Sequence, residues 1–236
     1  MIKYFSLTHI LAYLAPILIC IYSKKLAYYF NLLDSPDNLR KFHKEITPLT
    51  GGIIVFSSLF IFVLYDFFSF SVLNAHNFID YKSHYSLLIG CIIFFIIGIV
   101  DDKINLKPNI KLFLFIFAIT FLLSIDYQLN LKILYISVIQ SKFSIGNFSY
   151  FWTILCFLLF INALNMFDGI NLQVGLYSIL SICYLIFFYK FLDDFLIITL
   201  FSLICFSVLN FSSKCFLGNS GSYFLGFLLG YVFVKN

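Results

Sequence analysis

Eight apolar segments, most of them close to the length needed to cross a lipid bilayer, determine most of what this chain can fold into. They cover residues 5–22, 51–68, 86–100, 111–125, 150–166, 173–190, 195–211 and 221–234. A spanning helix needs about 20 apolar residues, so the shorter segments depend on neighbouring helices or on local thinning of the bilayer. The pattern predicts an all-α, multi-pass transmembrane helix bundle that forms a single integral-membrane domain over residues 1–236.

The composition excludes a soluble globular fold. The chain is 62% hydrophobic and only 11% charged, and it contains 33 Phe and 16 Tyr. Soluble domains are about 45–50% apolar and about 25% charged. Because one soluble core could not bury so many aromatic rings, lipid must cover the rest. The six cysteines are scattered without a C-x-x-C pair, which favours buried bulk over a disulfide or zinc role.

Residues 126–149 interrupt the helical pattern. They mix β-branched and aromatic residues with turn formers, which is typical of a hairpin. We therefore predict a small extracytoplasmic β-hairpin at 126–149. A poorly formed additional helix is the alternative.

The basic residues predict the orientation of the bundle. Lys24 and Lys25 follow the first apolar segment, whereas Lys3 alone precedes it. Because cytoplasmic loops carry an excess of Lys and Arg, the N-terminus is predicted to face outward. Alternation of the helices then puts four loops on the cytoplasmic face: 23–50, 101–110, 167–172 and 212–220.

The unusual polar residues gather in these loops and at the adjoining helix ends. They are Asp34, Asp37, Arg40, Lys41, His43 and Lys44 in the first loop, Asp101, Asp102, Lys107 and Lys111 around the second, Asn162, Asn165, Asp168 and Asn171 around the third, and Asn219, Ser220 and Ser222 in the fourth. The outer loops contain no comparable cluster in the sequence. This asymmetry predicts one polar site at the cytoplasmic surface.

Asp101 and Asp102 have two interpretations. Adjacent helical residues point about 100° apart, so one carboxylate can face the bundle while the other faces water. Two carboxylates at a membrane edge suit a hard cation or a proton transfer. A solvated helix end is the alternative.

Asn162, Asn165 and Asp168 form a stripe along one helical face. Such a stripe either lines a polar cavity or bonds a neighbouring helix. We favour a cavity because the three residues are in register.

Small residues mark two helix starts, Gly51-Gly52 and Gly218-Asn-Ser-Gly-Ser222. Free amides at such a start suit a phosphate, and close helix packing is the alternative. Arg40, Lys41 and Lys44 suit either an anionic substrate or the anionic leaflet. Together the residues indicate oxygen-rich chemistry around magnesium and phosphate.

The motifs resemble those of the polyprenyl-phosphate N-acetylhexosamine-1-phosphate transferases. The resemblance rests on Asp34-x-Pro-x-x-x-Arg40-Lys41-x-His43 with Pro48-x-x-Gly51-Gly52, Val100-Asp101-Asp102-Lys103, Asn162-x-x-Asn165-x-x-Asp168-Gly169, and Gly218-Asn219-Ser220-Gly221-Ser222. These motifs occur in the family's order, and the resemblance extends over residues 34–230.

The resemblance implies a reaction and its partners. A polyprenyl (undecaprenyl) phosphate would attack the β-phosphorus of a UDP-N-acetylhexosamine, giving polyprenyl-diphospho-sugar and UMP. This would be the first membrane step of cell-surface polysaccharide synthesis, at the cytoplasmic face of the bacterial inner membrane. The implied cofactor is Mg²⁺, or Mn²⁺ in its place. No nucleic-acid partner is expected, and a second copy of the chain is a further candidate partner.

The resemblance also implies roles for individual residues. Asp101 or Asp102 would deprotonate or orient the lipid phosphate, and Asn165 and Asn219 would bind the metal. The substrate-binding residues would be Lys44, Lys111, Asn162, Asp168 and Asn171.

The chain departs from the family pattern in three respects. Asn219 stands where the family more often has Asp, and Asn171-Leu172-Gln173 replaces the usual Asp-Gly-Leu. Relatives also continue through more helices, so we expect a chain truncated at its C-terminus compared with them. Because both metal positions would be Asn, Mg²⁺ would depend on Asp101, Asp102 and the substrate's own phosphates.

Three other functions remain as alternatives. One is a transporter or flippase for a phosphorylated solute, which would place its polar residues near the membrane midplane. Another is a non-catalytic membrane subunit. The third is an inactive, shortened relative of the transferases.

Overall fold

The computed structural model describes residues 7–35, 46–69, 81–136, 140–188 and 194–235. Its helices are α1 (Leu7–Phe30), α2 (Gly51–Ser69), α3 (Tyr81–Ile104), α4 (Pro108–Ile125), α5 (Ser149–Phe167), α6 (Gln173–Phe188), α7 (Asp194–Phe211) and α8 (Gly218–Lys235). Two antiparallel pairs join β1 (Leu33–Asp34) to β2 (Thr47–Pro48) and β3 (Ile133–Ile136) to β4 (Ser141–Ser144). The predicted all-α bundle is confirmed.

Four stretches of the described chain are long and apolar enough to cross a membrane: His9–Phe30, Pro108–Ile125, Gly146–Phe167 and Asp194–Phe211. Their outward faces keep large apolar side chains exposed, for example Phe117 on α4 and Leu159 on α5. Exposing these apolar faces to water would cost free energy, whereas in a bilayer the lipid covers them. The fold is that of a multi-pass helical membrane protein.

Helix α8 forms the centre of the bundle. Every residue from Ser220 to Val232 is buried, and the helix packs against α2, α3 and α5. Aromatic rings fill much of the α3–α8 interface, where Phe94 stacks on Phe227 with ring centroids 4.9 Å apart. Because α8 is covered on all sides, polar groups near its two ends are the ones that can reach water.

Several helix boundaries differ from the predicted ones. Helix α1 continues to Phe30 instead of ending at residue 22, so Lys24 and Lys25 lie in its last turns and not in a loop. Lysine continues a helix readily, and only membrane crossing requires apolar side chains. Helix α4 begins at Pro108, because proline lacks an N–H group and is tolerated at the first helical position.

The predicted hairpin at 126–149 is confirmed as β3 and β4. Leu134 pairs with Phe143 and Tyr135 with Lys142. A single turn of 3₁₀ helix precedes it, and the Asp126 carboxylate caps this turn by accepting a hydrogen bond from the Gln128 amide at 3.0 Å. The hairpin lies between α4 and α5, and its position outside the cytoplasm stays a prediction.

Candidate functional site

Polar helix ends from five elements meet at one end of the bundle. They are the C-terminal ends of α3, α5 and α7 and the N-terminal ends of α4 and α8. Glycines allow this approach, because a Cβ atom on Gly98 of α3 would overlap the backbone of Ser220, and one on Gly52 would overlap Gly221. The Gly51-Gly52 pair therefore serves close packing, as one of its two interpretations predicted.

Asp102 caps the start of α8. Its Oδ1 accepts a hydrogen bond from the Asn219 amide at 2.8 Å, and its Oδ2 accepts one from the Ser220 amide at 3.0 Å. Gly218, with φ of +74°, makes the turn into the helix next to this carboxylate. The interpretation of these amides as free phosphate ligands is wrong, because an anionic side chain of the protein itself already occupies the favourable helix terminus.

Asp101 lies one residue earlier in an entirely different environment. Its side chain is 0% exposed. Oδ1 accepts from the Leu106 amide at 2.8 Å, while Oδ2 accepts from the Tyr223 hydroxyl at 2.6 Å and from Lys111 Nζ at 2.7 Å. The solvated-helix-end interpretation is therefore wrong for Asp101.

The asparagine stripe on α5 divides between two kinds of contact. Asn165 Oδ1 accepts a hydrogen bond from Ser222 Oγ of α8 at 2.8 Å. Asn162 is exposed, and its amide donates to the Leu158 carbonyl of its own helix at 2.8 Å. Asn165 thus bonds the neighbouring helix, which was the alternative to the favoured cavity interpretation of the stripe, and it lies beside the start of α8.

Asp168 caps the C-terminal end of α5 and is half-buried. Burial raises the pKa of this carboxyl to about 8, and the negative charge of nearby Asp102 acts in the same direction. An acid in this environment takes up either a proton or a cation.

An asparagine that sequence reasoning missed joins the loop after α5 to the loop after α7, both of which lie beside the site. Asn210 is buried in the last turn of α7, where its Oδ1 accepts from the Leu172 amide and its Nδ2 donates to the Cys215 carbonyl. The predicted site residue Asn171 lies in the same region, where its amide donates to Ser213 Oγ at 2.6 Å on the surface. An amide side chain inside an apolar helix was the signal that could have indicated Asn210.

Part of the first predicted motif is tied to this end of the bundle. The Phe216 amide donates to the Pro48 carbonyl at 2.9 Å, and the Gly51 amide donates to the Phe216 carbonyl at 2.9 Å. Lys44 and its neighbours Arg40, Lys41 and His43 lie outside the described residues.

A second polar cluster lies at the opposite end of α8, where none was predicted. Asp126 is 2% exposed. Its carboxylate accepts a hydrogen bond from the Tyr231 hydroxyl at 2.9 Å and forms an ion pair with Lys235 Nζ at 2.9 Å. Lys235 also donates to Ser83 Oγ at 2.6 Å. The sequence does not reveal this cluster because its members come from separate parts of the chain.

The donor set at the site end is made of oxygens. Among the described residues, no group of three or more His, Cys, Asp or Glu side chains is arranged to hold a metal. Asn165, Asp102 and Asp168 instead offer amide and carboxylate oxygens around the start of α8, and Asn219 lies in the first turn of that helix. These ligand types suit a hard cation such as Mg²⁺, so the residues present fit that ion.

Spanning helices with buried carboxylates, amides and a lysine at one end define a class: integral membrane proteins with a polar site at one end of the helix bundle. Residues 84–236 match glycosyl transferase family 4, and the chain belongs to this family. The family predicted from the motifs is thereby confirmed.

Several curated bacterial proteins are similar to the chain. The probable undecaprenyl-phosphate N-acetylglucosaminyl 1-phosphate transferase of Bacillus subtilis (strain 168) is 26% identical over 211 residues, which is 86% of this chain and 55% of the relative. The undecaprenyl-phosphate alpha-N-acetylglucosaminyl 1-phosphate transferase of Salmonella typhi is 30% identical over 154 residues, or 65% of this chain and 38% of the relative. The corresponding protein of Escherichia coli (strain K12) is 28% identical over 168 residues, or 68% and 40%. The chain thus spans about half the length of these relatives, or less.

Proposed function

We propose that the chain transfers N-acetylhexosamine 1-phosphate from a UDP-sugar to a polyprenyl phosphate and releases UMP. The observation that carries the proposal is the meeting of three carboxylates (Asp101, Asp102 and Asp168), Asn165, Asn219 and Lys111 around the start of α8. Family membership and the names of the relatives support the same reaction.

The chemistry suits a site of this kind. An oxygen of the lipid phosphate attacks the β-phosphorus of the sugar nucleotide, a new P–O bond forms, and the bond to UMP breaks. In phosphoryl transfer the protein mainly positions the reacting groups and neutralises their charge. Lys111 supplies positive charge. Of the two carboxylates predicted to orient or deprotonate the lipid phosphate, Asp102 lies at the start of α8, whereas Asp101 is fully buried and bound to Lys111.

Mg²⁺, with Mn²⁺ as a substitute, is the proposed cofactor, and it would neutralise the negative charge of the diphosphate. Asn165 and Asn219 are the proposed ligands, with Asp168 nearby as a carboxylate that lies close to the negative charge of Asp102. The hydrogen bond from Ser222 fixes the Asn165 amide.

The proposed location is the bacterial inner membrane, with the site on the cytoplasmic face and the product used for cell-surface polysaccharide. Lys24 and Lys25 near the C-terminal end of the first spanning helix, with Arg40, Lys41 and Lys44 after it in the sequence, support this orientation. Lys44, Asn162 and Asn171 remain predicted substrate contacts, and a homodimer remains a prediction.

The transporter or flippase is the weaker candidate. A transporter places its substrate groups near the membrane midplane. In the described part of the chain, the buried carboxylates lie at the two ends of α8, and its middle is packed with apolar rings. This distribution favours chemistry at one membrane surface over passage through the bundle.

Purified full chain in lipid nanodiscs, supplied with UDP-N-acetylglucosamine, undecaprenyl phosphate and MgCl₂, tests the proposal. Formation of UMP together with lipid-linked sugar is the expected result, and Asp168→Asn should lower the rate by about 100-fold. Asp126→Asn is the matched control, because it removes a carboxylate at the opposite end of the bundle. Absence of UMP from folded wild-type protein would reject the transferase, and substrate flux across vesicles without UMP would support a transporter.

A further inference from the structure

The surroundings of Asp101 leave it no open side for a substrate. Its two oxygens accept from the Leu106 amide, the Tyr223 hydroxyl and Lys111 Nζ, all within 2.8 Å. The Asp101 side chain is fully buried. Tyr223, which donates one of these bonds, is also buried, and its ring packs edge-to-face with that of Phe115, with ring centroids 4.8 Å apart. Asp101 is therefore a fixed anion enclosed by protein.

Lys111 connects this enclosed anion to the site. Its side chain is 28% exposed, and one direction of its ammonium group is taken by Asp101 Oδ2 at 2.7 Å. An ammonium group has three donors, so the remaining two can bind oxygens of an anion. A lysine stem is flexible, and a buried carboxylate at its tip restricts where the charge lies.

Tyr223 connects the lysine to the start of α8. The same helix carries Asn219 and Ser220, whose amides bind Asp102. The hydrogen bond from the Tyr223 hydroxyl thus fixes Asp101 to α8. Through Asp101 it also fixes the position of Lys111 relative to the start of that helix.

We infer that Asp101 is a positioning residue: together with Tyr223 it fixes the Lys111 ammonium as a phosphate-binding group, and it does not contact the substrate. The identity of the phosphate compound rests on the proposed function, whereas the geometric coupling of Tyr223, Asp101 and Lys111 does not. Asp102 then stands as the member of the acidic pair nearest the start of α8.

Chemical labelling of the full chain tests the coupling without any need for activity. The matched variants are Tyr223→Phe and Tyr231→Phe, because Tyr231 holds Asp126 and Lys235 at the other end of the same helix. Acylation by sulfo-N-hydroxysuccinimide acetate, followed by peptide mass spectrometry, should speed up at Lys111 by about threefold or more in Tyr223→Phe and be unchanged there in Tyr231→Phe. Acylation of Lys235 should speed up in Tyr231→Phe and be unchanged in Tyr223→Phe. An unchanged Lys111 rate in Tyr223→Phe, or equal changes in both variants, would overturn the inference.

A double-mutant cycle tests the positioning role. Asp101→Asn and Lys111→Met should each lower kcat/KM by about tenfold or more, and the double variant should be no slower than Lys111→Met alone, because Asp101 acts only through the lysine. If the double variant is slower than Lys111→Met by a further factor of about ten, Asp101 contacts the reacting groups and the inference fails. If wild-type protein shows no transfer at all, the proposed function fails, and the labelling result still decides the coupling.

Discussion

Tyr223 and Tyr231 lie about two helical turns apart on α8, and each donates its hydroxyl to a buried aspartate that also binds a lysine. Tyr223 does so at the site end and Tyr231 at the opposite end. Both clusters join a tyrosine, an aspartate and a lysine, but the Tyr231 hydroxyl also lies 2.7 Å from the Ser83 carbonyl, and only the first cluster adjoins the capped start of α8 and the Asn165 amide. Their different neighbours make one cluster a control for the other.

The cluster at the opposite end should make stability depend on pH. Burial alone would raise the pKa of Asp126, but hydrogen bonds from Lys235, Ser83 and Tyr231 outweigh it and lower the pKa below its ordinary value. A lowered folded pKa stabilises the protein above about pH 4, and this contribution is lost as the pH falls through the folded value. Thermal unfolding in detergent should therefore show a steeper loss below about pH 4 in wild type than in Asp126→Asn.

At neutral pH, Asp126→Asn should itself lower the free energy of unfolding by about 1–3 kcal/mol, because it leaves the partly buried Lys235 ammonium without its counter-ion. Equal acid sensitivity of the two proteins would contradict the assigned role of Asp126.

Gly98 should be essential for the approach of α3 to α8. A methyl group there would overlap backbone atoms of Ser220 and Asn219, so Gly98→Ala should cost about 1–3 kcal/mol and separate Asp102 from the α8 amides. Gly169→Ala is the control, because a Cβ atom there would meet only the Met166 carbonyl at 3.9 Å. Unfolding temperature and the exchange rates of the Asn219 and Ser220 amides measure both effects. Equal behaviour of the two variants would contradict the packing argument.

The sequence predicts the helices well because each spanning helix is a continuous apolar run. Alternation of spans along the chain also predicts correctly that Asp102, Asn165 and Asn219 meet at one end. What it cannot give is the partner of each side chain, because that depends on distances between helices. The Asp102 cap is an example, since it exists only where Gly98 lets α3 approach α8.

Residues hidden in apolar runs were also beyond sequence reasoning. Tyr223 and Tyr231 count as bulk in a hydropathy pattern, and only the packed bundle shows that each hydroxyl binds a carboxylate. The same is true of Asn210, whose two partners lie in different loops.

Asn210 should hold the two loops beside the site together. Asn210→Ala would leave the partly buried Leu172 amide and the buried Cys215 carbonyl without their partner, so a loss of about 2–4 kcal/mol is expected. Asn171→Ala removes only the exposed bond to Ser213 and should cost about 0.5 kcal/mol or less. Chemical denaturation of both variants measures the difference, and a similar loss in each would show that the loops are held by other contacts.

Asp168 should make stability fall as the pH rises. Its pKa of about 8 exceeds the ordinary carboxyl value, so the protonated form is favoured in the folded protein. The contribution is fully present below about pH 4 and is lost as the pH rises through about 8. Asp168→Asn should therefore be less sensitive to alkaline pH than wild type in thermal unfolding. Added MgCl₂ should reduce the loss in wild type alone, and an equal response of the variant would place Mg²⁺ elsewhere.

Asn219→Asp should tighten the dependence on Mg²⁺. The new carboxylate would lie at the start of α8, where the helix terminus favours negative charge, but beside Asp102 and near Asp168, which repel it. Without a cation the repulsion should lower the unfolding temperature, and with Mg²⁺ the extra charge should add a ligand. The Mg²⁺ concentration at half-maximal stabilisation should then fall by about tenfold, which corresponds to about 1.4 kcal/mol.

Asn171→Asp, which alters an exposed amide bonded to Ser213, is the control and should leave the Mg²⁺ titration unchanged. If Asn219→Asp also leaves it unchanged, the cation does not bind at the start of α8, and Asn219 is not a metal ligand.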